Sequence, residues 1–123
     1  MLAATAGFDA HNFTLRAYMS EFTKVATRGD LEPGQKTIVE TDDRIVILFR
    51  DGDDYYCIDD VCTHDGGTLS DGPVHGCEIE CPRHGARFNM KTGEALCMPA
   101  YQNTITHEVK IDGDDILVKI NEE

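Results

Sequence analysis

Two short stretches, Cys62-Thr63-His64 and Cys81-Pro82-Arg83-His84, stand with sixteen residues between them. Each pairs one thiol with one imidazole. Gly66, Gly67 and Gly85 beside them let main chain approach a guest closely, and Pro82 presets a turn next to Cys81. Taken singly, a cysteine is a small buried hydrophobe and a histidine a hydrogen-bonded core or surface residue. Four of them in two matched, glycine-flanked loops read instead as one metal-binding set. The fold must then deliver both loops to one point, with Cys62, His64, Cys81 and His84 as the expected ligands.

Two metal chemistries use two thiolates and two imidazoles. One is a structural Cys2His2 zinc site, which is tetrahedral. Zinc motifs place the cysteines two to four residues apart and gather the histidines in the second half, whereas here each half is mixed. The mixed order favours the other chemistry, two irons bridged by sulfide, with both sulfurs on one iron and both rings on the other. Such a Rieske [2Fe-2S] centre exchanges two anionic thiolates for two neutral rings, so it accepts an electron more readily than an all-cysteine cluster.

Residues from about 22 to 121 resemble a Rieske-type ferredoxin, the small carrier of bacterial ring-hydroxylating dioxygenase systems. The stretch Cys81-Pro82-Arg83-His84-Gly85-Ala86-Arg87-Phe88, followed by Thr92-Gly93-Glu94-Ala95-Leu96, is similar to the family's second cluster loop and the strand after it. The resemblance implies one [2Fe-2S] cluster per chain and an electron carrier that is not itself an enzyme. It further implies transient partners: a flavin-containing NAD(P)H reductase that supplies electrons and a terminal oxygenase that receives them. Two alternatives stay open. One is a small subunit fixed to a larger redox enzyme, such as an assimilatory nitrite reductase; the other is a non-redox zinc module.

Departures from the respiratory branch of the family sharpen the expectation. That branch carries a disulfide beside the cluster, and here the corresponding places are Gly67 and Arg83. It also aims a serine and a tyrosine hydroxyl at the cluster sulfurs, where this chain has Ala86 and Phe88. Fewer donors leave the added charge less stabilised, so the expected potential lies near the lower end of roughly -150 to +300 mV.

Five cysteines leave three beyond the ligands. Cys57, in Tyr55-Tyr56-Cys57-Ile58, is expected in a strand and buried. Alternation through Cys77-Glu78-Ile79-Glu80 puts Cys77 on the side of Ile79, again for packing. Cys97 precedes Met98-Pro99, in a region resembling the proline-containing loop that shields the cluster in this family. Three unpaired thiols suit a reducing cytoplasm. His107 falls on an apolar strand face and reads as a hydrogen-bonded core or edge residue, His75 as a loop residue, and His11 as part of the leader.

The pattern after residue 22 is all-β. Short runs rich in branched and aromatic residues cover 36–41, 44–50, 54–58, 77–80, 87–90, 104–111 and 115–120. Thr41-Asp42-Asp43, Asp51-Gly52-Asp53, Thr92-Gly93 and Asp112-Gly113 punctuate them as tight reversals. An antiparallel sandwich or partly open barrel follows, and the resemblance adds a small lobe built from the two ligand loops. One domain over 19–123 is expected, after an extension over 1–18 that lacks a secretory signal. Met19-Ser20-Glu21 reads like an alternative start. Leu15, Tyr18, Met19 and Phe22 share a helical face, yet Phe13, Leu15, Ala17 and Met19 alternate as in a strand; both readings stand.

A formal net charge of -12 argues against nucleic acid and against anionic membranes as partners. No apolar run approaches spanning length, and a monomer is expected. Asp59, Asp60, Asp65 and Asp71 flank the first ligand loop and are expected to form an acidic rim that steers redox partners electrostatically.

Overall fold

The run Ile45-Val46-Ile47-Leu48-Phe49 has no polar alternation, so a strand made from it needs apolar cover on both faces. The computed structural model, which describes residues 21–41, 44–100 and 102–121, supplies both covers. The readings of the extension over 1–18, of Met19 as a start and of turn positions Asp42 and Asp43 lie outside the described residues.

Among the described residues nine strands follow in order: β1 (Thr23–Thr27), β2 (Lys36–Glu40), β3 (Ile45–Asp51), β4 (Asp54–Asp59), β5 (Val74–His75), β6 (Glu78–Glu80), β7 (Arg87–Asn89), β8 (Thr106–Asp112) and β9 (Asp115–Lys119). Six form a nearly closed, barrel-like antiparallel sheet in the order β1-β9-β8-β4-β3-β2, and β5-β6-β7 form a second, small sheet. This is the all-β, partly open barrel with a small lobe that the sequence leads one to expect. A 3-10 turn, Arg28–Asp30, follows β1. Among the described residues no helix is long and apolar enough to cross a membrane.

Strand β3 divides the interior. Val46 and Leu48 point into the barrel, against Leu31, Tyr55, Cys57, Ile116 and Val118. Ile47 and Phe49 point the other way, into a second core with Ile58, Leu69, Ile79, Phe88, Met90 and the two candidate ligands Cys62 and Cys81. Each large side chain buried here contributes about 1.5–3 kcal/mol, so the ligand lobe is fastened to the barrel by the same strand that fills it. The β3–β4 and β8–β9 hairpins reverse through Gly52 and Gly113, both at positive φ, as tight two-residue hairpins require.

The expected runs become β2, β3, β4, β6, β7, β8 and β9, with shifted ends. Cys77 leaves its strand for the turn between β5 and β6, where His75 pairs with Glu78. Thr104 lies outside β8 because its amide is taken by the Gly93 carbonyl at 2.8 Å. Strands β1 and β5 carry too little apolar alternation to stand out. The three connections β4–β5, β6–β7 and β7–β8 all meet at the small lobe.

Candidate metal centre

The two ligand stretches fold into the same hydrogen-bonded frame. In the first, the Cys62 amide donates to the Gly67 carbonyl at 2.7 Å and the Gly66 amide donates back to the Cys62 carbonyl at 2.7 Å. In the second, Cys81 donates to Ala86 at 2.6 Å and Gly85 to Cys81 at 3.0 Å. Gly66 and Gly85, with φ of 77° and 80°, occupy equivalent places that an L side chain seldom adopts. The second frame is the whole loop of the β6–β7 hairpin, closed by the pair Glu80 and Arg87.

Matching frames bring the four candidates together as two unlike pairs. The thiols of Cys62 and Cys81 are buried, at 0% and 1% exposure. The rings of His64 and His84 stand exposed, edge to face, with centroids 5.1 Å apart. The two sulfurs lie within 4.8 Å of each other and of an Asp65 carboxylate oxygen, and nitrogens of the two rings form a second such group with Asp65. Among the described residues no one group of that size gathers all four donors. A tetrahedral zinc would hold its donors about 3.8 Å apart, so the split set suits a two-iron group better than a single ion.

The electrostatics agree. Burial pushes the Cys62 thiol up, while the amides of His64 and Asp65 donate toward its sulfur and pull the other way. Those amides stand where a thiolate ligand needs stabilisation. Asp65 is held well below the usual carboxylate range by Arg83, whose Nε and Nη2 donate to it at 2.6 and 3.0 Å, and by the Gly67 amide at 2.9 Å.

Asp60 fixes the first loop from beneath. It is 5% exposed, and its Oδ1 accepts the amides of Leu69 and Ser70 at 2.7 and 2.8 Å, while Oδ2 accepts the Ser70 hydroxyl at 2.8 Å. A third loop lies across both frames. Cys97 Sγ points at the Gly85 carbonyl at 3.6 Å, and the Thr63 hydroxyl donates to the Gln102 carbonyl at 2.5 Å. Thr63, His64, Pro99 and Gln102 border a cavity of about 80 Å³. The proline-containing stretch thus reaches the site as expected, with Cys97 beside the second frame.

The expected acidic rim is corrected by these contacts. Asp59 is 8% exposed and is engaged by Arg44 at 3.0 Å and His107 at 2.7 Å. Asp60 is turned inward, Asp65 is paired with Arg83, and only Asp71 of the four stands exposed without such a role. Their partners lie 9 to 48 residues away, beyond the reach of a local reading. A local sign did exist at Asp65, whose carboxylate bonds the amide two residues on, a habit of Asp in turns.

Other candidates for packing behave as read. Cys57 is buried, and Cys77 packs on the lobe core with its thiol 3.2 Å from Asp51 Oδ2. His75, read as a loop residue, lies instead in β5 and bonds Glu80 at 3.0 Å, and His107 is a core residue as read.

The Rieske [2Fe-2S] domain family matches residues 21–118, a span that contains both frames. The chain belongs to that family. Its Rieske domain is 36% identical over 92 residues to the ferredoxin component of the naphthalene 1,2-dioxygenase system of Pseudomonas aeruginosa, covering 75% of this chain and 88% of that one. Among solved structures it is similar to the ferredoxin of carbazole 1,9a-dioxygenase from Nocardioides aromaticivorans IC177, with a TM-score of 0.77 and 36% identity over 81% of this chain and 98% of the other. A chain in the complex of reduced oxygenase and oxidized ferredoxin in carbazole 1,9a-dioxygenase matches with a TM-score of 0.76 and 32% identity, covering 80% and 92%. A Rieske domain binds a [2Fe-2S] cluster, and the donor set described above fits one.

Proposed function

We propose that this protein is a soluble one-electron carrier of a dioxygenase system, its single cluster held by Cys62 and Cys81 on one side and His64 and His84 on the other. When bound, the cluster supplies reversible storage of one electron. One observation carries the reading: the sulfur pair is buried while the nitrogen pair beside it is exposed. The buried thiols are shielded from water and oxidants, and the exposed rings let a partner approach the site edge to edge. The reading includes a flavin-containing NAD(P)H reductase as donor, a terminal oxygenase as acceptor, short-lived contacts with both, and a cytoplasmic setting.

The chain's own residues shape the site in three ways. The Cys62 and Cys81 frames fix sulfur positions through backbone bonds, Asp60 ties the first loop shut, and Cys97 and Gln102 of the third loop bond to the two frames. Ala86 and Phe88, both fully buried, offer no hydroxyl to the site, which supports a potential near the lower end of roughly -150 to +300 mV. Reductive titration of iron-loaded protein tests the function. One electron per chain at such a potential is expected; uptake of none, or co-purification as a fixed subunit of a larger enzyme, contradicts it.

A further inference from the structure

In the matched frames, Cys62 corresponds to Cys81, His64 to Arg83, Asp65 to His84 and Gly66 to Gly85. Each loop therefore has one position that offers an imidazole and one that does not, in opposite order. The two positions left over are Asp65 and Arg83, and they meet across the gap between the loops. Nε and Nη2 of Arg83 grip both carboxylate oxygens, at 2.6 and 3.0 Å. The guanidinium lies over Gly67, where an added Cβ would come within 2.6 Å of it. Asp65 also holds its own loop through the Gly67 amide and stands 3.5 Å from His84 Nδ1.

We propose that Asp65 and Arg83 are positioning residues, an ionic clasp that sets the separation of the two ligand loops while keeping the cluster's surroundings electrically balanced. The glycine at 67 is what lets the guanidinium cross. A bidentate arginine–carboxylate pair fixes direction as well as distance, which a single contact does not. The two charges also act on an added electron in opposite senses. Asp65 opposes it and Arg83 favours it, so the closed pair leaves the potential nearly untouched.

The inference rests on the ligand assignment above. Its test uses iron-loaded Asp65→Asn, Arg83→Gln, the double variant and Arg83→Lys, each followed for cluster release to a chelator and for midpoint potential. Release at least about threefold faster is expected in both single variants and in the double, with Arg83→Lys between them and the wild type. The potential is expected to rise in Asp65→Asn, fall in Arg83→Gln, and return toward the wild-type value in the double. Loops merely loosened to solvent would shift both single variants the same way, and that result overturns the clasp. Unchanged release overturns it too. If a glutamine variant takes up no cluster, Arg83→Lys with wild-type release still overturns it. Wild-type protein without iron would instead defeat the ligand assignment.

Discussion

His107 donates its Nε2–H to Asp59 Oδ1 at 2.7 Å while its Nδ1 accepts the Asn121 amide at 3.0 Å. A backbone amide only donates, so Nδ1 carries no proton and the buried ring is neutral. Burial lowers the His107 pKa from 6.5, with Arg44 adding to the effect and Asp59 opposing it. The unfolded chain therefore binds a proton that the folded chain refuses, and stability is full above pH 6.5 and declines as pH falls below it. Urea unfolding at pH 7 and pH 5 checks this, with a smaller difference expected in His107→Gln. His107→Ala should cost about 2–3 kcal/mol at pH 7, since it leaves a cavity and removes a donor from a buried carboxylate.

Asp60 closes the first ligand loop through two amides and one hydroxyl. Asp60→Ala strands the Leu69 and Ser70 amides and is expected to cost about 2–4 kcal/mol and to lower iron retained per chain. Asp60→Asn keeps Oδ1 for both amides and lets the Ser70 hydroxyl accept, so it should retain most of the iron. Equal loss in the two variants, measured as iron per chain after purification, would remove Asp60 from this role.

Glycines separate cleanly by what a Cβ would meet. At Gly52 only the positive φ of 62° opposes a side chain, and Gly52→Ala should cost about 1–2 kcal/mol. At Gly72 the Cβ would fall on the Glu80 carbonyl, backbone that cannot give way without moving β6 and the loop that follows it. Gly72→Ala should be the more damaging of the two in thermal melting and should lower cluster content, while Gly52→Ala keeps it.

Met98 is 73% exposed beside the third loop's Pro99, and Leu96 is 38% exposed. Residues 95–103 carry no charge and Asp65 is paired with Arg83, so Met98 and Leu96 are exposed apolar contacts beside the histidines. Met98→Ala and Met98→Glu are expected to slow transfer to a terminal oxygenase by about tenfold, the size of one interface anchor, with potential and melting unchanged. Stopped-flow transfer that ignores both substitutions would place the contact elsewhere.

The barrel was legible because β3 and β9 carry their burial in composition. Ile45 to Phe49 has no polar gap, and Ile116 and Val118 alternate with partly exposed neighbours. The four candidate donors stood out because cysteine and histidine at this spacing have few other uses, and the structure brings them near one another. What lay hidden was pairing at a distance. Asp59 and Asp60 look like any loop carboxylates until residues 107 and 69–70 arrive beside them. Strand β1, Thr-Lys-Val-Ala-Thr, has little apolar signal and is held by its register with β9.

Electron paramagnetic resonance of anaerobically reduced protein, with iron and sulfide counted in the same sample, tests the central assignment most directly. Two irons and two sulfides per chain are expected, with a signal coupled to two imidazole nitrogens. The coupling to one nitrogen should vanish in His64→Cys or His84→Cys and persist in His75→Ala. Zinc without iron, or an iron signal with no nitrogen coupling, would contradict a cluster held by Cys62, Cys81, His64 and His84.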